Sequence, residues 1–248
     1  MPHVVTKQPL SVISSCASSP RGAWDTSVPP GLEALRDMEE LCLRQKMEYA
    51  EMFTCCETSN KYEVKTVTGK TLYYAKEDTN CCNRNCCGST RSFDMLLRDA
   101  QDNKVLHIER SFRPCAENCL YCCCACCQNA VEVTAPGSGR VLGRVQEDWH
   151  PCVPKYEVQD DDGNAVLYIE GKCCTCSLLP CCKKCRDVTF TITTAKTDEQ
   201  VGFIKKQWSG YGKELMSDAD VFGISFPSDL AIATKATLLG ATFLIVSP

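Results

Sequence analysis

The sequence predicts a mainly β protein: a closed barrel built from a duplicated unit, with a helix before it and an apolar helix after it. Three observations carry this. From Lys61 onward, short runs of β-branched and aromatic residues alternate with turn residues. Tyr62-Glu63-Val64 and Gly69 return as Tyr156-Glu157-Val158 and Gly163, each followed by a strand-like run and a cysteine cluster. Ala236 to Val246 carries no charge.

Residues 1–30 mix Pro, Ser and Thr with few large apolar side chains besides Trp24. They bury too little to offset the entropy of ordering and read as a disordered tail. No apolar stretch of a secretory leader occurs there. One domain is expected over 31–248. Leu32, Leu35, Met38, Leu41 and Met52-Phe53 recur at near-helical spacing, which predicts a helix over 32–52. Its apolar face packs on the domain or lies on a membrane surface.

The barrel is expected over 61–230. Its strands are read at Tyr62-Glu63-Val64, Thr71-Leu72-Tyr73-Tyr74, Val105-Leu106-His107-Ile108, Val131-Glu132-Val133, Val166-Leu167-Tyr168-Ile169 and Val188 to Ile192. Val105 to Phe112 echoes Val201 to Trp208, and a third echo links Leu142-Gly143-Arg144-Val145 with Val201-Gly202-Phe203-Ile204. Closing two such units into one barrel removes the exposed edges that separate sheets would leave. The last stretch, 231–248, is apolar all round. Ala236 to Val246 rises about 17 Å as helix, short of the roughly 30 Å hydrocarbon core. Starting at Leu230 gives about 28 Å, but Lys235 must then snorkel to a headgroup layer. The segment therefore lies inside protein or enters lipid.

Cysteine dominates the chemistry: 22 of 248 residues, a density of about 9% that in a chain without a leader points to reduced thiols. The net charge of -4 gives no footprint for nucleic acid. Three histidines, none at zincin spacing, and no nucleophile elbow, P-loop or dinucleotide fingerprint leave little for catalysis. His150 and Cys152 are near enough in sequence to consider as a nucleophile pair. The run Cys119 to Cys127 cannot cross-link within itself, because neighbouring Cβ vectors diverge. It suits S-acylation, with a thiolate zinc knot as the alternative. Cys81, Cys82, Cys86 and Cys87, and Cys173, Cys174, Cys176, Cys181, Cys182 and Cys185, have spacings of zinc loops or of buried structural thiols. Set against a calcium loop, Asp218 to Asp229 places Asp at positions 1, 3 and 12 and Gly223 at 6. Phe222 falls at position 5 and Asp replaces the longer Glu at 12, so the site would be weak. A plain turn is the other reading.

Together these strings resemble the phospholipid scramblase family, from about Pro29 to Val246. The carriers are Pro29-Pro30-Gly31-Leu32-Glu33, Asn60-Lys61-Tyr62-Glu63, Glu77-Asp78-Thr79 with Cys81 to Gly88, the Cys122 to Cys127 run, Trp149-His150-Pro151-Cys152 and Asp218 to Leu230. The resemblance implies a twelve-stranded, tubby-like barrel around a central C-terminal helix. It implies calcium-activated, ATP-independent, two-way movement of phospholipids between leaflets, which is not catalysis of a chemical reaction. It assigns calcium to Asp218, Asp220, Phe222, Phe226 and Asp229, and acylation to Cys122, Cys123, Cys124, Cys126 and Cys127. Zinc or structural roles fall to Cys81, Cys82, Cys86, Cys87, Cys181, Cys182 and Cys185. The partners are membrane phospholipids, with self-association open. The location is the cytoplasmic face of the plasma membrane, and the nucleus when the thiols are bare. The competing expectation is a lipidated adaptor that binds calcium or anionic lipid without moving it.

Overall fold

The structure, a computed structural model, describes residues 28–46, 60–78, 92–111, 128–148, 150, 153–171, 189–207 and 221–246. A single 3-10 turn, η1 (Glu33–Leu35), precedes twelve strands. They are β1 (Glu40–Lys46), β2 (Lys61–Thr66), β3 (Thr71–Glu77), β4 (Phe93–Arg98), β5 (Lys104–Arg110) and β6 (Ala130–Ala135). Then come β7 (Arg140–Asp148), β8 (Lys155–Gln159), β9 (Ala165–Gly171), β10 (Thr189–Thr194), β11 (Gln200–Gln207) and β12 (Val221–Ser225). One helix, α1 (Ile232–Val246), follows.

Every strand pairs antiparallel with the next in sequence, and β12 returns to β1, pairing Ile224 with Leu41 and Phe222 with Leu43. The barrel is closed. Alternation drives it: in β2, Tyr62 and Val64 are buried while Lys61, Glu63 and Lys65 face outward, and β8 repeats this with Tyr156 and Val158. β3 and β9 share one burial pattern along all seven residues, as a duplicated unit requires. Strands β1–β6 and β7–β12 thus form two equivalent halves. The third echo does not fit this symmetry, since it joins β7 to β11. What Gly143 and Gly202 share is crowding: a Cβ on Gly143 would stand 2.5 Å from the Gln159 carbonyl, and one on Gly202 would meet that of Ser225.

The expected helix over 32–52 is not formed. After η1 the chain enters β1, where Leu41 and Leu43 are buried and Cys42 and Arg44 look outward, a period of two. β1 gains hydrogen-bonded neighbours on both sides, β2 and β12, and that closure outweighs the helical spacing of the isolated segment. Met52 and Phe53 lie outside the described residues.

The apolar segment has its place inside the barrel. Ten consecutive residues of α1, Lys235 to Leu244, are buried, so every face of the helix meets protein. Phe243 meets the edge of Tyr62 at 5.3 Å between centroids. Gly240 lets the backbone approach the wall, for a Cβ there would be 2.5 Å from Val133 Cγ2. The Thr237 and Thr242 hydroxyls donate to the carbonyls of Ala233 and Leu238, both at 2.9 Å. Among the described residues no helix is long and apolar enough to cross a membrane.

Lys235 does not snorkel. Its ammonium, fully buried, donates to the carbonyls of Leu35 (3.1 Å), Arg36 (2.7 Å), Met38 (2.9 Å) and Ser228 (2.8 Å). Burial pushes its pKa down, while Asp37, Asp229 and Glu39 pull it up. With Leu32 and Leu35 buried beside it and the Tyr73 hydroxyl donating to the Gly31 carbonyl at 2.8 Å, this end of the barrel is plugged.

Candidate functional site

An up-and-down barrel sends its connections alternately to its two ends. Those after even-numbered strands are tight: residues 67–70, 99–103, 136–139, 160–164 and 195–199, then the turn 226–231 into α1. The plugged end is therefore a ring of hairpins. Asp99 Oδ1 accepts from the backbone of Gln101 and Asn103, and Asp160 Oδ1 accepts from that of Asp162 and Asn164, the same bonding at the turns after β4 and β8. Those hydrogen bonds hold both carboxyls below the usual range, led by the Asn103 side chain at Asp99 and the Asn164 backbone at Asp160.

Connections after odd-numbered strands all leave the opposite end: residues 47–60, 78–92, 111–129, 149–154, 172–188 and 208–220. Every cysteine except Cys16 and Cys42 belongs to one of them. Cys81, Cys82, Cys86 and Cys87, Cys122, Cys123, Cys124, Cys126 and Cys127, and Cys173 to Cys185 lie outside the described residues, in connections that leave the strands at this end. Cys42 differs in kind. It is half-buried on the wall, and burial raises its thiol pKa against the pull of Lys65 and Arg44, which keeps it a neutral thiol.

The cysteine-bearing end also holds a cavity of about 160 Å³ beside the last turn of α1. Phe190, Ile204, Phe222, Ile245 and Val246 make it apolar, and Lys206 supplies a cation whose Nζ sits 5.3 Å from the centroid of the Phe222 ring. Six strands away, buried Arg110 lies over Phe93 at 4.6 Å. On β3, Glu77 is buried and accepts from Asn60 Nδ2 at 2.7 Å. Sequence reasoning missed this pair of inward cations. The signal was present, since Arg110 and Lys206 hold the same place in the echo of Val105 to Phe112 and Val201 to Trp208.

The calcium stretch is split. Asp218 and Asp220 lie outside the described residues, in the connection that enters β12 at the cysteine-bearing end. Val221–Ser225 is a strand paired on both sides, which commits its backbone groups to the ladder. Phe222 and Phe226 are buried in the core. Asp229 follows at the hairpin end, beyond β12. Of the five residues, the structure describes Phe222, Phe226 and Asp229, while Asp218 and Asp220 lie outside it. Among the described residues no group of three or more His, Cys, Asp and Glu is placed to hold a metal.

The two histidines outside the tail are both among the described residues. His107 Nε2 meets Asp94 Oδ1 at 3.1 Å, and its Nδ1 lies 3.5 Å from the Thr134 hydroxyl, all on the outer wall. His150 Nδ1 accepts from the Val153 backbone at 3.1 Å, and Cys152 lies outside the described residues.

A family model described as Scramblase matches residues 18–246. The chain belongs to the Scramblase family. It is 43% identical over 217 residues to phospholipid scramblase 1 of Mus musculus, covering 88% of this chain and 62% of that protein. Similarity to phospholipid scramblase 2 of Homo sapiens is 41% over 217 residues, 88% of this chain and 69% of the relative. Phospholipid scramblase family member 5 of Homo sapiens is 35% identical over 218 residues, 88% of this chain and 76% of that one. The chain thus spans less than two thirds of the length of the first of these relatives. No solved structure matches it. For a scramblase-family chain, the division into a plugged hairpin end and a cysteine-bearing end is the feature that orients everything else.

Proposed function

We propose that the chain is a phospholipid scramblase, moving phospholipids both ways between membrane leaflets, without ATP and without making or breaking a covalent bond. The observation that carries this is the match, over 88% of the chain, to proteins named phospholipid scramblase. Topology supports the anchor. S-acylation of Cys122, Cys123, Cys124, Cys126 and Cys127 would fix the cysteine-bearing end to the cytoplasmic face of the plasma membrane. One acyl chain binds reversibly and two bind durably, so five thiols are ample. Calcium activation is assigned to Asp218 and Asp220, carboxylates that precede β12 at that same end, while Asp229 serves Lys235 at the other. A site of so few carboxylates should be weak, on the order of 10⁻⁴ to 10⁻³ M.

The test is reconstitution of the chain in liposomes with a labelled lipid and a membrane-impermeant quencher. Calcium should expose the inner-leaflet pool, and Asp218→Ala should abolish that exposure while Asp229→Ala keeps it. A second reading has its own support, since α1 is spent on the core of the barrel. On that reading the chain is a lipidated adaptor, and the inner pool stays protected in calcium although the protein sits on the membrane.

A further inference from the structure

The two halves of the barrel share strands and register, so each is a control for the surface of the other. On the outer wall of the second half, the row beside the cysteine-bearing end reads Asp148, Lys155, Glu170 across β7, β8 and β9. Its charges alternate, and Lys155 Nζ lies 3.1 Å from Glu170 Oε2. The equivalent row of the first half, across β1, β2 and β3, reads Lys46, Lys61, Lys76. In the next row Arg44, Glu63 and Tyr74 stand where the second half has Gln146, Glu157 and Tyr168. Lys65 then replaces Gln159, and Arg144, in the place of Cys42, is neutralised by Glu132 at 2.9 Å.

Like charges directly opposite each other on neighbouring strands cost stability. Glu63 stands among these five cations and takes Lys46 at 2.6 Å and Lys65 at 2.8 Å. In a chain of net charge -4, the wall of β1–β3 is a concentrated positive face. It borders the end from which the cysteine-bearing connections leave. Tyr74, 44% exposed with Lys46 Nζ 5.6 Å over its ring, adds an amphipathic side chain suited to a membrane interface.

We propose that the outer wall of β1–β3 docks on an anionic phospholipid surface, with Arg44, Lys46, Lys61, Lys65 and Lys76 meeting the headgroup phosphates and carboxylates. The proposal rests on the membrane reading above and deepens it by naming the face. It requires neither acylation nor lipid movement.

The test uses the purified, unacylated full chain and vesicles of phosphatidylcholine with or without about 30 mole per cent phosphatidylserine, the charge type of a cytoplasmic leaflet. Each basic residue near such a surface is worth about fivefold in affinity, so Lys46→Asp with Lys76→Glu, which copies the row of the second half, should weaken binding at least thirtyfold. Binding of the parent should need phosphatidylserine and fall in high salt. Lys70→Glu with Lys104→Glu, an equal charge change at the hairpin end, should cost less than threefold. Lys76→Glu alone, which reproduces the natural pairing of Lys155 with Glu170, guards against misfolding of the double variant and should keep the parental melting temperature while losing binding.

The proposal is overturned if the row variants bind like the parent, or if the hairpin-end variant loses as much. It is also overturned if an oligonucleotide displaces the parent from vesicles at equal phosphate, which would make the face a nucleic-acid surface. Docking without lipid movement would remove the scramblase reading and leave the face. Lipid movement by a chain that has lost docking would do the reverse.

Discussion

Lys235 is the one charged side chain of α1, and its four carbonyl acceptors tie the helix to η1 and to the turn after β12. Removing the ammonium leaves buried acceptors without a donor. Lys235→Met should therefore cost on the order of 3 kcal/mol, although methionine fills the same space. For a domain of this size that is a fall of roughly 6 to 12 °C in melting temperature, readable by calorimetry. A second prediction concerns pH. Burial pushes the Glu63 carboxyl up, but the hydrogen bonds from Lys46 and Lys65 win and its pKa lies below the ordinary value. A depressed acid stabilises the fold above its unfolded pKa, near 4.3, and that stabilisation is lost as pH falls through the lower folded value. Glu63→Gln should flatten the acid limb of melting temperature against pH below about pH 4.5. An unchanged limb would mean that these lysines do not hold the carboxylate in solution.

The duplicated hairpins make a prediction at the scale of elements. Gly69 and Gly163 hold equivalent turn positions, at φ of +86° and +85°, with nothing near an added Cβ. Gly69→Ala and Gly163→Ala should each cost about 1 kcal/mol through backbone strain alone, and urea titration should find the two costs alike. A large difference would mean that the halves are less equivalent than their register. Strands that alternate cleanly, such as Tyr62-Glu63-Val64 and its repeat, were legible because each strand faces the core on one side only. The β1 strand was not, since Leu32, Leu35, Met38 and Leu41 fit a helical period and only closure against β12 selects the period of two. β12 was hidden for another reason: it lies within the Asp218 to Asp229 stretch that reads as a calcium loop, and its alternation of Phe222 and Ile224 is short. The site was legible as a collection of thiols but not as a place. That twenty cysteines belong to connections leaving one end depends on the parity of strands, and parity cannot be counted until β1, β4 and β12 are recognised.

For the whole molecule, barrel and helix are one cooperative unit. Phe243 sits fully buried against Tyr62, so Phe243→Ala should cost about 3 to 5 kcal/mol and lower the stability of all twelve strands together. Ending the chain after Leu230 should leave strand-rich secondary structure with loose packing. Far-ultraviolet dichroism would persist while the near-ultraviolet signal and the sharp melt disappear. A truncated chain with a cooperative melt would show that the barrel fills its own interior. The seam between β1 and β12, together with a helix that follows both in sequence, sets an order on biosynthesis. On the ribosome the container is made before its contents, and the first strand waits for a partner that emerges after all the others. Long-range closure of this kind is slow, and the waiting strands present open edges and cysteine-rich connections to solvent. Until synthesis is complete, the nascent chain should depend on chaperones to keep it from aggregating.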